Sequence, residues 1–193
     1  KHHVPVYVRT LPDDFITWVP YHASMIDPAK IIEKAKRSSF YLKLLNWSLD
    51  RMVPFNKPHG FRIIHISDYS LKTAIPFKKK NFNHIRGLHA CPLATLSEFT
   101  TGFLLVSKLE GKKYRLIMQR LEMEYHYQGK MDATTHFSIS EAWLHQHIFE
   151  PLKTKDAAMV ICEIKIFDTQ NNHLTTGNVH WQIKEWKRVK TKT

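Results

Sequence analysis

The sequence predicts an α+β fold in which a curved antiparallel sheet wraps one long central helix, with an amphipathic helix in front of it. Three observations carry this. Six short stretches alternate apolar and polar residues at the period of a strand. One stretch, from about His89 to Leu109, is apolar nearly all round. The order is helix, two strands, one long helix, four strands, so helices do not alternate with strands as a doubly wound parallel sheet requires.

Composition and charge narrow the class. The 193 residues weigh 22.8 kDa and are 43% hydrophobic and 24% charged, within the range of one globular domain. Eleven Phe, seven Tyr and five Trp supply a core without metal or disulfide staples. Collagenous, low-complexity and disulfide-scaffold classes are excluded. No run approaches the roughly 18 consecutive apolar residues that a spanning helix needs, so no membrane span is expected. Cys91 and Cys162 form no CxxC pair and fit free thiols in a reducing compartment. The N-terminus lacks the apolar centre of a secretory signal, which makes the cytoplasm the expected location.

Lys plus Arg is 29 against 17 Asp plus Glu, a net charge of +12. Such a surface attracts polyanions: a phosphate-bearing small ligand, anionic lipid or nucleic acid. Charge alone does not choose among them, and it is the only support for nucleic acid, the least expected. The basic residues are dispersed, and only Lys78-Lys79-Lys80 forms a run.

Residues 1–24 differ from the rest. They hold three of the nine prolines, sum to zero formal charge and show no sustained period. Ala23-Ser24 before Met25 resembles a cloning junction, and His2-His3 the end of a polyhistidine tag. This segment is read as an expression leader or a native arm, outside the single domain of residues 25–193.

The elements follow in order. Asp27-Pro28 reads as an N-cap and a first-turn proline. Ile31, Ile32, Ala35, Leu42, Leu45 and Leu49 continue at helical spacing, predicting an amphipathic helix over 28–51 with a break allowed at Ser38-Ser39. A core of residues 54–188 follows. Phe61, Ile63 and Ile66, with Ile64 ambiguous, mark a strand, and Ser67-Asp68 a turn. Tyr69, Leu71, Thr73 and Ile75 mark the second strand. Leu121, Met123, Tyr125 and Tyr127 alternate with Glu122, Glu124 and His126. Ala133, Thr135, Phe137 and Ile139 form the next strand. A short helix or loop through Trp143 and Pro151 leads to Val160, Cys162, Ile164 and Ile166. Asn171-Asn172 supplies a turn, and Val179, Trp181 and Ile183 end the sheet.

Between His89 and Lys108 the one charged side chain is Glu98, with Ala94, Thr95, Thr101 and Gly102 a turn away. Burying an unpaired carboxylate is costly or drives its pKa up, so such a residue needs a reason. It is either a structural Glu bonded to a strand or an interface, or a general base or nucleophile in a cleft. The helix is preceded by Asn83-His84-Ile85-Arg86-Gly87-Leu88-His89-Ala90, which has a glycine for tight geometry and an amide for polar contacts. Backbone N–H groups at a helix start are unpaired and can stabilise an oxyanion.

Asn83, then His89 six positions on at a helix start, then Glu98 nine further, resembles the pattern of hot-dog-fold acyl-CoA thioesterases. The resemblance covers roughly 54–188 and is nearest a thioesterase-like branch carried as a domain of unknown function. Ala90-Cys91 stands where better-studied members have two glycines, Glu98 where Asp is common, and Gly87 lies four residues after Asn83 rather than three. The resemblance implies hydrolysis of an acyl-CoA thioester, with coenzyme A as part of the substrate and no other cofactor. It implies that Ala90 N–H, with Cys91 N–H, holds the thioester oxygen, that Glu98 activates water or attacks, and that Asn83 orients the water or carbonyl. In this superfamily the site typically lies between two protomers, which implies a homodimer or a dimer of dimers. Lys78, Lys79, Lys80, Arg86 and Gly87 are expected near its mouth, the cations facing the coenzyme phosphates. The alternative is a non-catalytic module that binds acyl thioesters or only dimerises. No metal is expected, because neither His84 with His89 nor His145 with His147 forms a recognised ligand pattern. Trp143, Trp181 and Trp186 read as packing or interface residues.

Overall fold

The computed structural model describes residues 28–189; the segment 1–24 and the N-cap Asp27 lie outside them. The anticipated first helix is two helices, α1 (Pro28–Ala35) and α2 (Ser39–Met52). Ser38 separates them in an extended conformation (φ −140°, ψ 121°) and its side chain makes no cap bond. Lys36, in the break, pairs with Glu33 of α1 and with Asp68 in the turn after the first strand, so the helical hairpin is tied to the sheet.

The sheet contains β1 (Arg62–Ile66), β2 (Ser70–Ile75), β3 (Tyr114–Tyr125), β4 (Ala133–Ser138), β5 (Ala158–Asp168) and β6 (His173–Glu185). Their order is β1-β2-β4-β5-β6-β3, and every neighbouring pair is antiparallel. Alternation is cleanest in β5, where Val160, Cys162, Ile164 and Ile166 are buried and the residues between them face outward. Burial pushes the Cys162 thiol up to about 12, leaving it a core side chain without nucleophilic character.

Across the inner face lies α3 (Ala90–Lys108), the long helix. Leu104 and Leu105 pack with Ile63, Leu71, Val160 and Val179, while Leu93 and Leu96 meet Ile75, Ile166 and Leu174. Each fully buried leucine contributes roughly 1.5–3 kcal/mol. On length and composition α3 is apolar enough to cross a membrane, but half of its apolar window is buried inside the fold, where it serves as the core helix. Its hydroxyls are satisfied locally: Ser97, Thr100 and Thr101 donate to the carbonyls of Leu93, Leu96 and Ser97. Trp181 Nε1 donates to Thr101 Oγ1 at 3.1 Å, and the indole lies so close to Gly102 that a Cβ there would sit 2.7 Å from its ring.

Between β4 and β5, α4 (Glu141–Leu144) passes through a π-helical turn (His145–Phe149) into α5 (Glu150–Thr154). Pro151 has no N–H to give His147, and the widened turn falls where that bond would form. Trp143 stacks on His147 and packs against the core, while Trp186 is exposed and donates to Gly111 O.

The two sheet edges differ. Asn46 of α2 lies against β1, where its Nδ2 donates to Ile63 O and its Oδ1 accepts from Ile63 N–H, imitating a further strand residue. β3, twelve residues long, forms the other edge and exposes Ile117, Met118 and Tyr125.

Candidate functional site

The loop before α3 is built by its own amide groups. Asn83 Oδ1 accepts from Ile85 N–H at 3.1 Å and from Gly87 N–H at 2.9 Å, and Asn83 N–H donates to Gly87 O at 2.8 Å. Arg86 closes the turn in the left-handed region (φ 56°). Among the described residues nothing accepts from Asn83 Nδ2, so the amide keeps its donor end free while its oxygen shapes the loop. Gln128 lies close over Gly87: a Cβ there would come within 2.8 Å of the exposed Gln128 side chain, which would have to shift.

A second amide, Asn81, anchors the loop from below. Wholly buried, it donates to Pro76 O (2.8 Å) and His59 O (3.0 Å), and its Oδ1 accepts from His59 Nδ1 (3.0 Å). Asn81 O accepts from His89 N–H, and Gly129 O from Leu88 N–H, both at 2.8 Å. These bonds fix where α3 begins.

His89 is the N-cap of α3, and its Nδ1 accepts from Cys91 N–H at 3.1 Å. That bond makes Nδ1 the unprotonated nitrogen, and it occupies one of the two N–H groups anticipated for an oxyanion. Ala90 N–H, at the first helical position, has no carbonyl four residues back to accept it within the helix. Tyr125, at the end of edge strand β3, donates its hydroxyl to Ala90 O at 3.0 Å and ties that strand to the helix start.

Glu98 lies two turns along α3 from Ala90, half-buried. Among the described residues its carboxylate has neither a hydrogen-bond nor an ion-pair partner. Burial alone raises its pKa above the usual carboxylate range. Gly177 of β6 packs against α3 at Ser97, since a Cβ there would lie 2.8 Å from Met123 Sδ and 3.3 Å from Ser97 Oγ. The chemistry available is that of a base held partly out of water, with helix-start N–H groups on the same element.

Lys78, Lys79 and Lys80 gather with Lys57 and Pro58 around a surface cavity of about 500 Å³. Arg86 and Gly87 are not part of its lining; Arg86 is exposed on the next loop and Gly87 is buried under Gln128. Cys91 is an exposed free thiol at the start of α3. Among the described residues no three His, Cys, Asp or Glu side chains converge as metal ligands do. His145 instead pairs with Glu150.

The six-stranded antiparallel sheet wrapped around the core helix α3 is a hot-dog fold. The chain belongs to the DUF4442 family, a domain of unknown function, whose sequence profile matches residues 42–183. No curated protein matches its sequence. Several solved structures share the fold. A Pseudomonas aeruginosa protein of unknown function, called a "probable thioesterase", superposes with a TM-score of 0.68 at 18% identity, over 74% of this chain and 95% of that one. A thioesterase from Haemophilus influenzae gives 0.59 at 12% identity, over 78% and 95%. A mutant thioesterase enzyme from Staphylococcus aureus gives 0.56 at 15% identity, over 68% and 99%.

Proposed function

We propose that this chain hydrolyses an acyl-CoA thioester at a site completed by a second copy of itself. The observation that carries the reading is Glu98, an unpaired carboxylate with a raised pKa on an otherwise apolar core helix. Water activated by Glu98, or the carboxylate itself, attacks the thioester carbonyl; the carbonyl oxygen gains charge and the thiolate of coenzyme A leaves. Ala90 N–H, with Cys91 N–H once His89 turns aside, holds that oxygen. Asn83 orients the water or carbonyl through its free Nδ2. Lys78, Lys79, Lys80 and Arg86 attract the phosphates, and Gly87 lets the loop close. Crystal structures of the Staphylococcus aureus thioesterase carry substitutions of a glutamine and of a glutamate fifteen positions later. Asn83 and Glu98 stand at the same separation.

The two sheet edges support a homodimer. Asn46 covers β1, whereas β3 presents backbone groups and apolar side chains to solvent, a liability that pairing with a second β3 removes. The two free thiols suit the cytoplasm.

A non-catalytic acyl-thioester-binding module is the second reading. It is favoured by the bonds that already occupy Cys91 N–H and Asn83 Oδ1. Assay of the purified chain on short-, medium- and long-chain acyl-CoA, beside Glu98→Gln, separates the two. Hydrolysis by wild type that falls about 10²–10⁴-fold in kcat in the variant supports the enzyme. Binding without turnover by either protein supports the module.

A further inference from the structure

The N-terminal hairpin carries an exposed surface that the thioester chemistry does not use. Met52, Phe40 and Phe55 are 70%, 68% and 64% exposed, the three most exposed large apolar side chains among the described residues, and Trp47 at 53% lies with them. Phe40 and Trp47 are seven residues apart on α2 and so share a face, on the side opposite buried Leu45. Lys43 and Arg51 lie on that same face by spacing, and the Arg51 guanidinium stands 4.1 Å from the Trp47 ring centre. Over residues 28–62 eight Lys and Arg accompany two acids, Glu33 and Asp50, and both acids are already paired, with Lys36 and Arg62. Between Trp47 and β1 lies a cavity of about 290 Å³ lined by Lys43, Asn46, Trp47, Asp50 and Arg62.

We propose that this face of α2 and the turn through Phe55 dock the protein on an anionic lipid bilayer, with the aromatics in the headgroup boundary and Lys43 and Arg51 on the phosphates. Aromatic and basic side chains interleaved on one helix face suit an interface that is apolar below and negatively charged above. They suit a protein partner less well, because the centre of a protein–protein interface is depleted of lysine. Lys43 and Arg51 lay their aliphatic stems along the apolar surface while their charges reach the headgroups. The family match begins at residue 42, so α1 and Phe40 precede it. The inference does not rest on the thioester reading.

The test is co-sedimentation of the full chain with vesicles of phosphatidylcholine alone and of phosphatidylcholine mixed with phosphatidylserine, with light scattering of the protein alone. Wild type is expected to pellet with the anionic vesicles and to release at high salt. Phe40→Ser/Trp47→Ser/Phe55→Ser is expected to bind at least about tenfold more weakly, and Lys43→Glu/Arg51→Glu to lose the preference for phosphatidylserine. All five positions are exposed, so unchanged thermal unfolding shows that each variant is folded. Three results would overturn the proposal: no pelleting of wild type with anionic vesicles, undiminished binding by the aromatic variant, or a solution mass that falls when the aromatics are replaced. The last would assign the face to a second copy of the chain.

Discussion

Glu98 titrates against the usual direction of an acidic group in a folded protein. Its pKa is raised by burial with no compensating partner, so the folded state disfavours the charged form. The cost to stability is therefore full above the raised pKa and disappears as pH falls through the ordinary carboxylate value. Glu98→Gln removes that cost: thermal unfolding at neutral pH should occur at an equal or higher temperature than wild type, and the difference should shrink near about pH 4. Activity carries the matching sign. A base must be deprotonated, so kcat/KM should rise with pH through the raised Glu98 pKa. A flat profile over that range would remove the base role. His89 makes a separate claim at this scale. As the N-cap bonded to Cys91 N–H, its replacement by Ala should cost about 0.5–2 kcal/mol in urea unfolding, and His89→Asn should recover most of it. No loss in His89→Ala would mean that solvent caps α3 equally well.

At the scale of elements, the loop from Lys78 to His89 and the start of α3 form one unit, held by Asn81 and by the Asn83–Gly87 bonds. Lys78, Lys79 and Lys80 extend from this unit with nothing acidic in the cavity they line. Replacing all three by Ser should raise the KM for acyl-CoA, leave kcat nearly unchanged and flatten the salt dependence of kcat/KM. An unchanged KM at low ionic strength would leave them as solvated charge. Much of this element scale was legible in the sequence, because β2, β4 and β5 keep strict alternation and α3 is apolar around its circumference. β3 begins at Tyr114, well before the alternating run that starts at Leu121. A bulge between Met118 and Arg120 shifts the phase, so Leu116 and Met118 share a face with Leu121 and Met123 although the numbering changes parity. A bulge between Ile63 and His65 likewise turns Ile64 outward. Asn46, Asn81 and Tyr125 act through partners 17, 22 and 35 residues away, and no local pattern announces such contacts.

For the whole molecule, the account needs two copies. Among the described residues edge strand β3 is uncovered and Glu98 has no partner, and Tyr125 at the end of β3 reaches the start of α3. Light scattering at micromolar concentration should give at least twice 22.8 kDa, and a strict monomer would oppose the arrangement. The proposed shared site makes a sharper demand, because in it Glu98 of one chain would work with the Asn83–Ala90 loop of the other. Asn83→Asp keeps the oxygen that shapes the loop and removes the Nδ2 donor, while Glu98→Gln removes the base. The most direct measurement unfolds and refolds these two variants, each expected to be inactive alone, together and assays the mixture on acyl-CoA. Half of the resulting dimers pair the two variants, and each of these holds one site with both residues intact, so activity should return to about a quarter of wild type. A mixture as inactive as either parent would contradict a site completed by a second copy.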